Sequence, residues 1–158
     1  VYSYAEFECI PQPESPKRSV ATLRDSDLKM LVVENNRVNA KLLAALLNKT
    51  GCSCDIAYNS TECIEYMRDR KYDVLFMDLN MPDMDGFELT ARIRERESHS
   101  DKANARQSII IAVTAWAMTG MKERCLEAGM NGYLSKPVIR EELTNMIENL
   151  CSEMQPLS

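Results

Sequence analysis

Histidine is almost missing from this chain: His99 is the only one in 158 residues. A structural zinc site would therefore have to come from cysteine, and the six cysteines, Cys9, Cys52, Cys54, Cys63, Cys125 and Cys151, are scattered. Cys52 and Cys54 form a C-x-C with no second pair nearby, which argues against zinc. A disulfide framework is equally out of keeping with a domain of this size that lacks a secretory signal. No apolar run approaches the roughly 20 residues that span a bilayer, and the N-terminus lacks a charged-then-apolar leader. Positive charge is short as well, with 19 Lys and Arg against 24 Asp and Glu for a net −5. That balance gives no general pull toward nucleic acid or anionic lipid. There is no internal repeat and no low-complexity segment.

What is present suits one compact domain, since 45% hydrophobic content over 158 residues is enough for a core of that size. Residues 1–27 carry three prolines, many polar residues and no sustained period, so they read as a linker or N-terminal extension. The aromatics Tyr2, Tyr4 and Phe7 within it are candidates for packing on a neighbouring surface. The first residue is Val rather than Met, which leads us to expect a longer protein upstream. One folded domain is expected over 28–151 and a short tail over 152–158.

From Leu28 onward, short β-rich apolar runs alternate with longer segments of helical period, the pattern of βα units around a parallel sheet. The runs are KMLVVE, SCDIA, VLFMD, IIIAVT and GYLS. Between them, Val38, Leu42, Ala45 and Leu46 predict one helical face. Further faces are predicted from Cys63, Ile64 and Met67; from Phe87, Ala91 and Ile93; from Met121, Cys125 and Ala128; and from Leu143, Met146, Ile147 and Leu150. The first of these helices has more apolar residues than one core-facing stripe requires, with Leu43 and Leu47 beside Leu42 and Leu46. Gly51 and Gly129 fall where helices should stop. Residues 97–108 read as a polar surface loop.

Ligands of an open parallel sheet bind beyond the carboxyl ends of its strands. That rule singles out Glu34 and Asn35 after the first strand, Asp78 at the third, Thr114 at the fourth and Lys136 before Pro137 at the fifth. Oxygen donors and a cation at one edge are the ingredients of Mg²⁺-assisted phosphoryl transfer. LVVENN, residues 31–36, is ambiguous alone: it is either half a metal site or a buried strand running into an Asn helix cap. Two competitors fail on residues. An EF-hand would need an oxygen donor where Met81 stands, five residues before Gly86. An aspartate-nucleophile hydrolase would place a second acid where Asn80 stands.

The stretch DVLFMDLNMPDMDGFE resembles the phosphoacceptor segment of receiver domains, the response-regulator modules of two-component phosphorelays. The similarity continues through VTAWA and CLEAGMNGYLSKPV and covers 28–151. VNAKLLAALL after the acidic strand end is similar to receivers attached to hybrid sensor histidine kinases. The resemblance implies an α/β, flavodoxin-like, doubly wound five-stranded parallel sheet of order 2-1-3-4-5 with five helices. It implies that Asp78 is the phosphoacceptor, that Lys136 and Thr114 act with it, and that Tyr133 is a switch residue. Mg²⁺ would be held by Glu34, Asn35, Asp78 and the backbone carbonyl of Asn80, and the Lys136–Pro137 bond would be cis. The implied partner is a histidine-containing phosphotransfer protein or a histidine kinase domain, with no nucleic acid and no direct membrane contact by this domain. A cytoplasmic location follows, with room for a membrane anchor in the parent protein. Such a domain catalyses its own phosphorylation and dephosphorylation, and the parent would be a histidine kinase. No effector is expected after residue 158, so output would pass through the receiver surface or the upstream part. The departure is Asn35, where receivers usually carry a second acid. The alternative is thus a pseudo-receiver that binds partners regardless of phosphate.

Overall fold

The computed structural model describes residues 28–99, 107–116 and 118–154. Five strands, β1 (Lys29–Val33), β2 (Ser53–Ala57), β3 (Val74–Asp78), β4 (Ile109–Thr114) and β5 (Gly132–Ser135), form one sheet. All pairings are parallel, in the order β2-β1-β3-β4-β5. Helices α1 (Arg37–Lys49), α2 (Ser60–Asp69), α3 (Gly86–Ser98), α4 (Met121–Glu127) and α5 (Arg140–Met154) follow the strands in turn. This is the flavodoxin-like arrangement, whose strand order reverses between β1 and β3. Every strand lies within one of the five apolar runs of the sequence. A parallel sheet covered on both faces needs continuous apolar strands rather than alternating ones.

The two faces are filled by alternate residues of the same strands. Met30, Val32, Val74, Phe76, Ile111 and Val113 meet Ala40, Leu43 and Leu47 of α1 and Leu143, Ile147 and Leu150 of α5. On the other face Leu31, Val33, Leu75, Met77, Ile110 and Ala112 meet residues of α2, α3 and α4 such as Cys63, Leu89, Ile93, Met121 and Cys125. Burial raises the Cys63 thiol to about 12 and those of Cys54 and Cys125 to about 11, which keeps these thiols protonated.

Some of the predicted helical faces are rotated in the structure. Val38 and Leu42 are 66% and 60% exposed, while Ala40, Leu43 and Leu47 are the buried residues of α1. An apolar helix offers two overlapping stripes, and packing on the sheet selects the one whose small Ala40 allows close approach. Ala91 is likewise exposed, and the buried set of α3 is Gly86, Leu89, Thr90 and Ile93.

Glu97 and Ser98, expected in a loop, end α3 instead, and Ser108 is buried. Glu97 accepts the Ser108 N–H at 2.8 Å and so joins the end of α3 to the start of β4. Gly51 and Gly129 have φ of 93° and 101°, as helix ends require. The linker and the last four tail residues lie outside the described residues. Among the described residues no helix is long and apolar enough to cross a membrane.

Candidate functional site

The register of the sheet assembles one polar cluster at its carboxyl edge. Val33 pairs with Met77, Asp78 with Val113, and Thr114 with Ser135, so Glu34, Asp78, Thr114 and Lys136 all emerge at the same level. Glu34, Asp78 and Thr114 are buried at 4%, 4% and 1% exposure, which is unusual for two carboxylates. Lys136 Nζ donates to Glu34 Oε1 at 2.7 Å and lies 3.6 Å from Asp78 Oδ1. One cation thus serves two buried acids. The Lys136–Pro137 bond is cis, as the resemblance implied.

Local backbone holds the remaining oxygens. The Asn36 N–H donates to Glu34 Oε2 at 3.0 Å, and the Asn80 N–H to Asp78 Oδ1 at 3.0 Å. Within LVVENN, Glu34 faces the cluster, while Asn36 caps α1 by accepting the Asn39 N–H at 3.0 Å. Asn35 is exposed at the rim. Burial pushes the Asp78 carboxyl from 3.8 up to about 6; the Asn80 N–H opposes the rise, the Glu34 charge adds to it, and Lys136 opposes it. The Thr114 hydroxyl accepts the Trp116 N–H at 3.0 Å. Tyr133, on the neighbouring strand, is 2% exposed with its ring in the core.

The loop after Asp78 is tightly closed. Gly86 donates its N–H to Leu79 O at 3.1 Å, and a Cβ at this position would come within 2.9 Å of both Asp78 O and the Leu79 side chain. No side chain fits there without moving the acceptor strand's end. Asp85 caps α3 by accepting the Glu88 N–H at 2.8 Å. Asp83 reaches the start of α2, accepting from the Ser60 N–H at 3.0 Å. No sequence pattern signals this last contact, because its partner lies 23 residues away on another element.

No group of three or more His, Cys, Asp or Glu side chains among the described residues is placed to hold a metal. The donors that do converge are the carboxylates of Glu34 and Asp78, with the backbone of Asn80 beside them. A set of hard oxygens with few protein ligands suits Mg²⁺, which keeps several waters and needs no all-protein cage.

Strand order, a buried acid at the reversal point and a lysine at the fifth strand define a class, and residues 30–148 match the model of the response regulator receiver domain. The chain belongs to that family. It is 39% identical over 131 residues to hybrid signal transduction histidine kinase B of Dictyostelium discoideum, covering 77% of this chain and 6% of that protein. The chain thus spans a small part of the length of that relative. Among solved structures it resembles the co-crystal of the Saccharomyces cerevisiae histidine phosphotransfer signalling protein Ypd1 with the receiver domain of its downstream response regulator Ssk1. There the identity is 30% and the TM-score 0.74, covering 82% of this chain and 92% of that one. The receiver domain of sensor histidine kinase PA1611 from Pseudomonas aeruginosa, with magnesium coordinated in its active-site cleft, gives 34% identity. Its TM-score is 0.67, with coverage of 79% of this chain and 98% of that one.

Proposed function

We propose that this receiver accepts a phosphoryl group on Asp78 from a phosphohistidine and so relays a signal, as part of a hybrid sensor histidine kinase. The supporting observation is a buried carboxylate 3.6 Å from a lysine ammonium, at the strand-order reversal of the sheet. One Asp78 oxygen attacks phosphorus in line with the leaving nitrogen. The O–P bond forms as the N–P bond breaks, and the nitrogen keeps the electron pair and takes a proton from solvent. Lys136 stands where it can share the charge of the transferred group and release Glu34. Glu34, Asp78 and the Asn80 carbonyl, with Asn35 beside them, would hold magnesium, which would supply further charge neutralisation. Thr114 turns its hydroxyl from the Trp116 N–H toward the phosphoryl oxygen, and Tyr133 responds by changing rotamer.

The partner surface in this reading is the exposed apolar side of α1, the helix that follows Glu34, where Val38 and Leu42 are exposed, with Ile139 before α5 at 52% exposure. An apolar patch of this kind receives a helix of a histidine-containing phosphotransfer protein. The Ypd1 complex of a similar receiver supports that type of partner.

Asn35 favours a second reading, a pseudo-receiver, since it leaves two carboxylates at the site. Intact mass after treatment with a small phosphodonor and Mg²⁺ separates the two. The first reading expects a gain of one phosphate in wild type and none in Asp78→Asn. Equal uptake by both proteins contradicts Asp78 as acceptor, and no uptake by either favours the pseudo-receiver.

A further inference from the structure

Asp83 lies within the acceptor segment but has been given no role at the site, yet it joins the acceptor loop to a different helix. Its carboxylate accepts from the Ser60 N–H at 3.0 and 3.4 Å and from the Thr61 N–H at 3.4 Å. Ser60 Oγ in turn donates to Met84 O at 3.3 Å. Ser60 is 1% exposed, so this side of the contact is shielded from water although Asp83 sits at the surface. A carboxylate on the first N–H groups of a helix is a charge-assisted contact favoured by the helix dipole.

The helix has a cap of its own. Asn59 accepts the Glu62 N–H at 2.8 Å, and Glu62 turns back to accept the Tyr58 N–H at 2.7 Å. The loop is the part that gains more from the contact. Asn80 and Pro82 are exposed, and beyond the buried Met81 side chain the loop's outer half meets α2 through Asp83 and Met84. The Asn80–Asp78 and Gly86–Leu79 bonds close the base of the loop, and the Asp83 tie holds its outer half; without that tie more of the loop would have to be ordered at the moment a ligand binds, and the ordering would subtract from affinity.

We infer that Asp83 is a positioning residue: by seating the loop between β3 and α3 on the start of α2, it sets the Asn80 backbone against Asp78 and with it the affinity for a divalent cation. The inference rests on the Asp78 reading above and adds α2 to the set of elements that tune the site. It also makes the start of α2 a place from which a contact on that helix can reach the site without touching it.

The test uses the full chain, comparing wild type, Asp83→Ala, Asp83→Asn and Ser60→Ala, with Arg94→Ala as a variant that perturbs the fold far from the loop. Mg²⁺ is titrated by calorimetry, and amide hydrogen exchange at Asn80 is followed without metal. Asp83→Ala should weaken Mg²⁺ binding five-fold or more and speed exchange of the Asn80 N–H. Asp83→Asn, which keeps an acceptor but no charge, should fall between, and Ser60→Ala should show a smaller change. Phosphate uptake by Asp83→Ala should be slow at low Mg²⁺ and approach the wild-type rate at saturating Mg²⁺. Arg94→Ala should lose stability while keeping Mg²⁺ affinity. An Asp83→Ala protein that loses stability as any missing helix cap would, but keeps wild-type Mg²⁺ affinity and Asn80 exchange, overturns the inference. Failure of the Asp78 reading gives a different result: wild type takes up no phosphate on Asp78, while metal-free exchange at Asn80 still reports whether the tie orders the loop.

Discussion

The two ends of the sheet solve the burial of polar groups in opposite ways. At the amino ends of the strands, Arg94 of α3 donates from Nε to Gly129 O at 2.9 Å and from its terminal nitrogens to Ser108 O, Glu97 and Asn131 at 2.7, 2.7 and 2.8 Å. Asn131 also takes the Ile110 N–H at 2.9 Å, and Ser108 Oγ donates to Tyr72 O at 2.7 Å. Donors and acceptors match, and three elements are joined. At the carboxyl ends two buried carboxylates share one lysine, and burial leaves Asp78 with a carboxyl that titrates near 6. The first end stabilises the fold, whereas the second stores repulsion that an incoming cation would relieve. Functional sites commonly break local rules of stability in this way.

The contrast is broken most severely from the amino end. Arg94→Ala leaves the Gly129 and Ser108 carbonyls and Glu97 without this donor, and Asn131 with the Ile110 N–H alone, and should cost about 3 kcal/mol, measured by urea unfolding. Phosphate uptake per folded molecule should stay at the wild-type level. A loss of uptake with little change in stability would mean that the two ends are not separate.

The carboxyl end responds with the opposite sign. Asp78→Asn removes a buried charge and should stabilise the metal-free domain by on the order of 2 kcal/mol above pH 7. Because the folded carboxyl titrates near 6 and the unfolded one near 3.8, the folded state holds its proton more tightly between those values. The wild type should therefore lose stability as pH rises through that window, with the full penalty present above it, and Asp78→Asn should lack this slope. Paired urea titrations at pH 4, 5, 6 and 7 check the sign. A wild-type slope that rises instead would show that Lys136 outweighs burial and Glu34.

Asn35→Asp sharpens the comparison by adding a third carboxylate at the exposed rim. Mg²⁺ affinity should rise several-fold while metal-free stability falls by less than about 1 kcal/mol, since an exposed charge is screened. Calorimetry with and without Mg²⁺ measures both, and unchanged affinity would place the side chain away from the ion. The smallest stability effect belongs to Leu42→Ala, at most about 0.5 kcal/mol for a residue 60% exposed. The same change should weaken binding of a phosphotransfer partner about ten-fold, as loss of an apolar anchor does. Partner affinity equal to wild type would move docking off α1.

Much of this architecture is legible in the amino-acid sequence, and the legible part is periodic or terminal. The five apolar runs contain all five strands, because a doubly covered parallel sheet demands continuous burial and tolerates few alternatives. The cluster of Glu34, Asp78, Thr114 and Lys136 follows from strand ends alone. The buried face of α1 is not legible: Val38 and Leu42 are as apolar as Leu43 and Leu47, and only contact with the sheet chooses between them. The Glu34–Lys136 pair spans 102 residues, so its 2.7 Å contact depends on how β1 and β5 are brought together across the sheet. The contact of Asp83 with Ser60 leaves no trace in the sequence, where an acid in a loop reads as a solvated charge.

The central claim is that Asp78 carries the phosphate, and chemical trapping of the phosphorylated residue tests it most directly. The chain is phosphorylated by a phosphohistidine-bearing transfer protein in Mg²⁺, reduced with borohydride, and sequenced by mass spectrometry. An aspartyl phosphate is reduced to homoserine, so the account predicts homoserine at position 78 with Asp83 and Asp85 unchanged. Homoserine at either of those loop acids, with Asp78 intact, would contradict it.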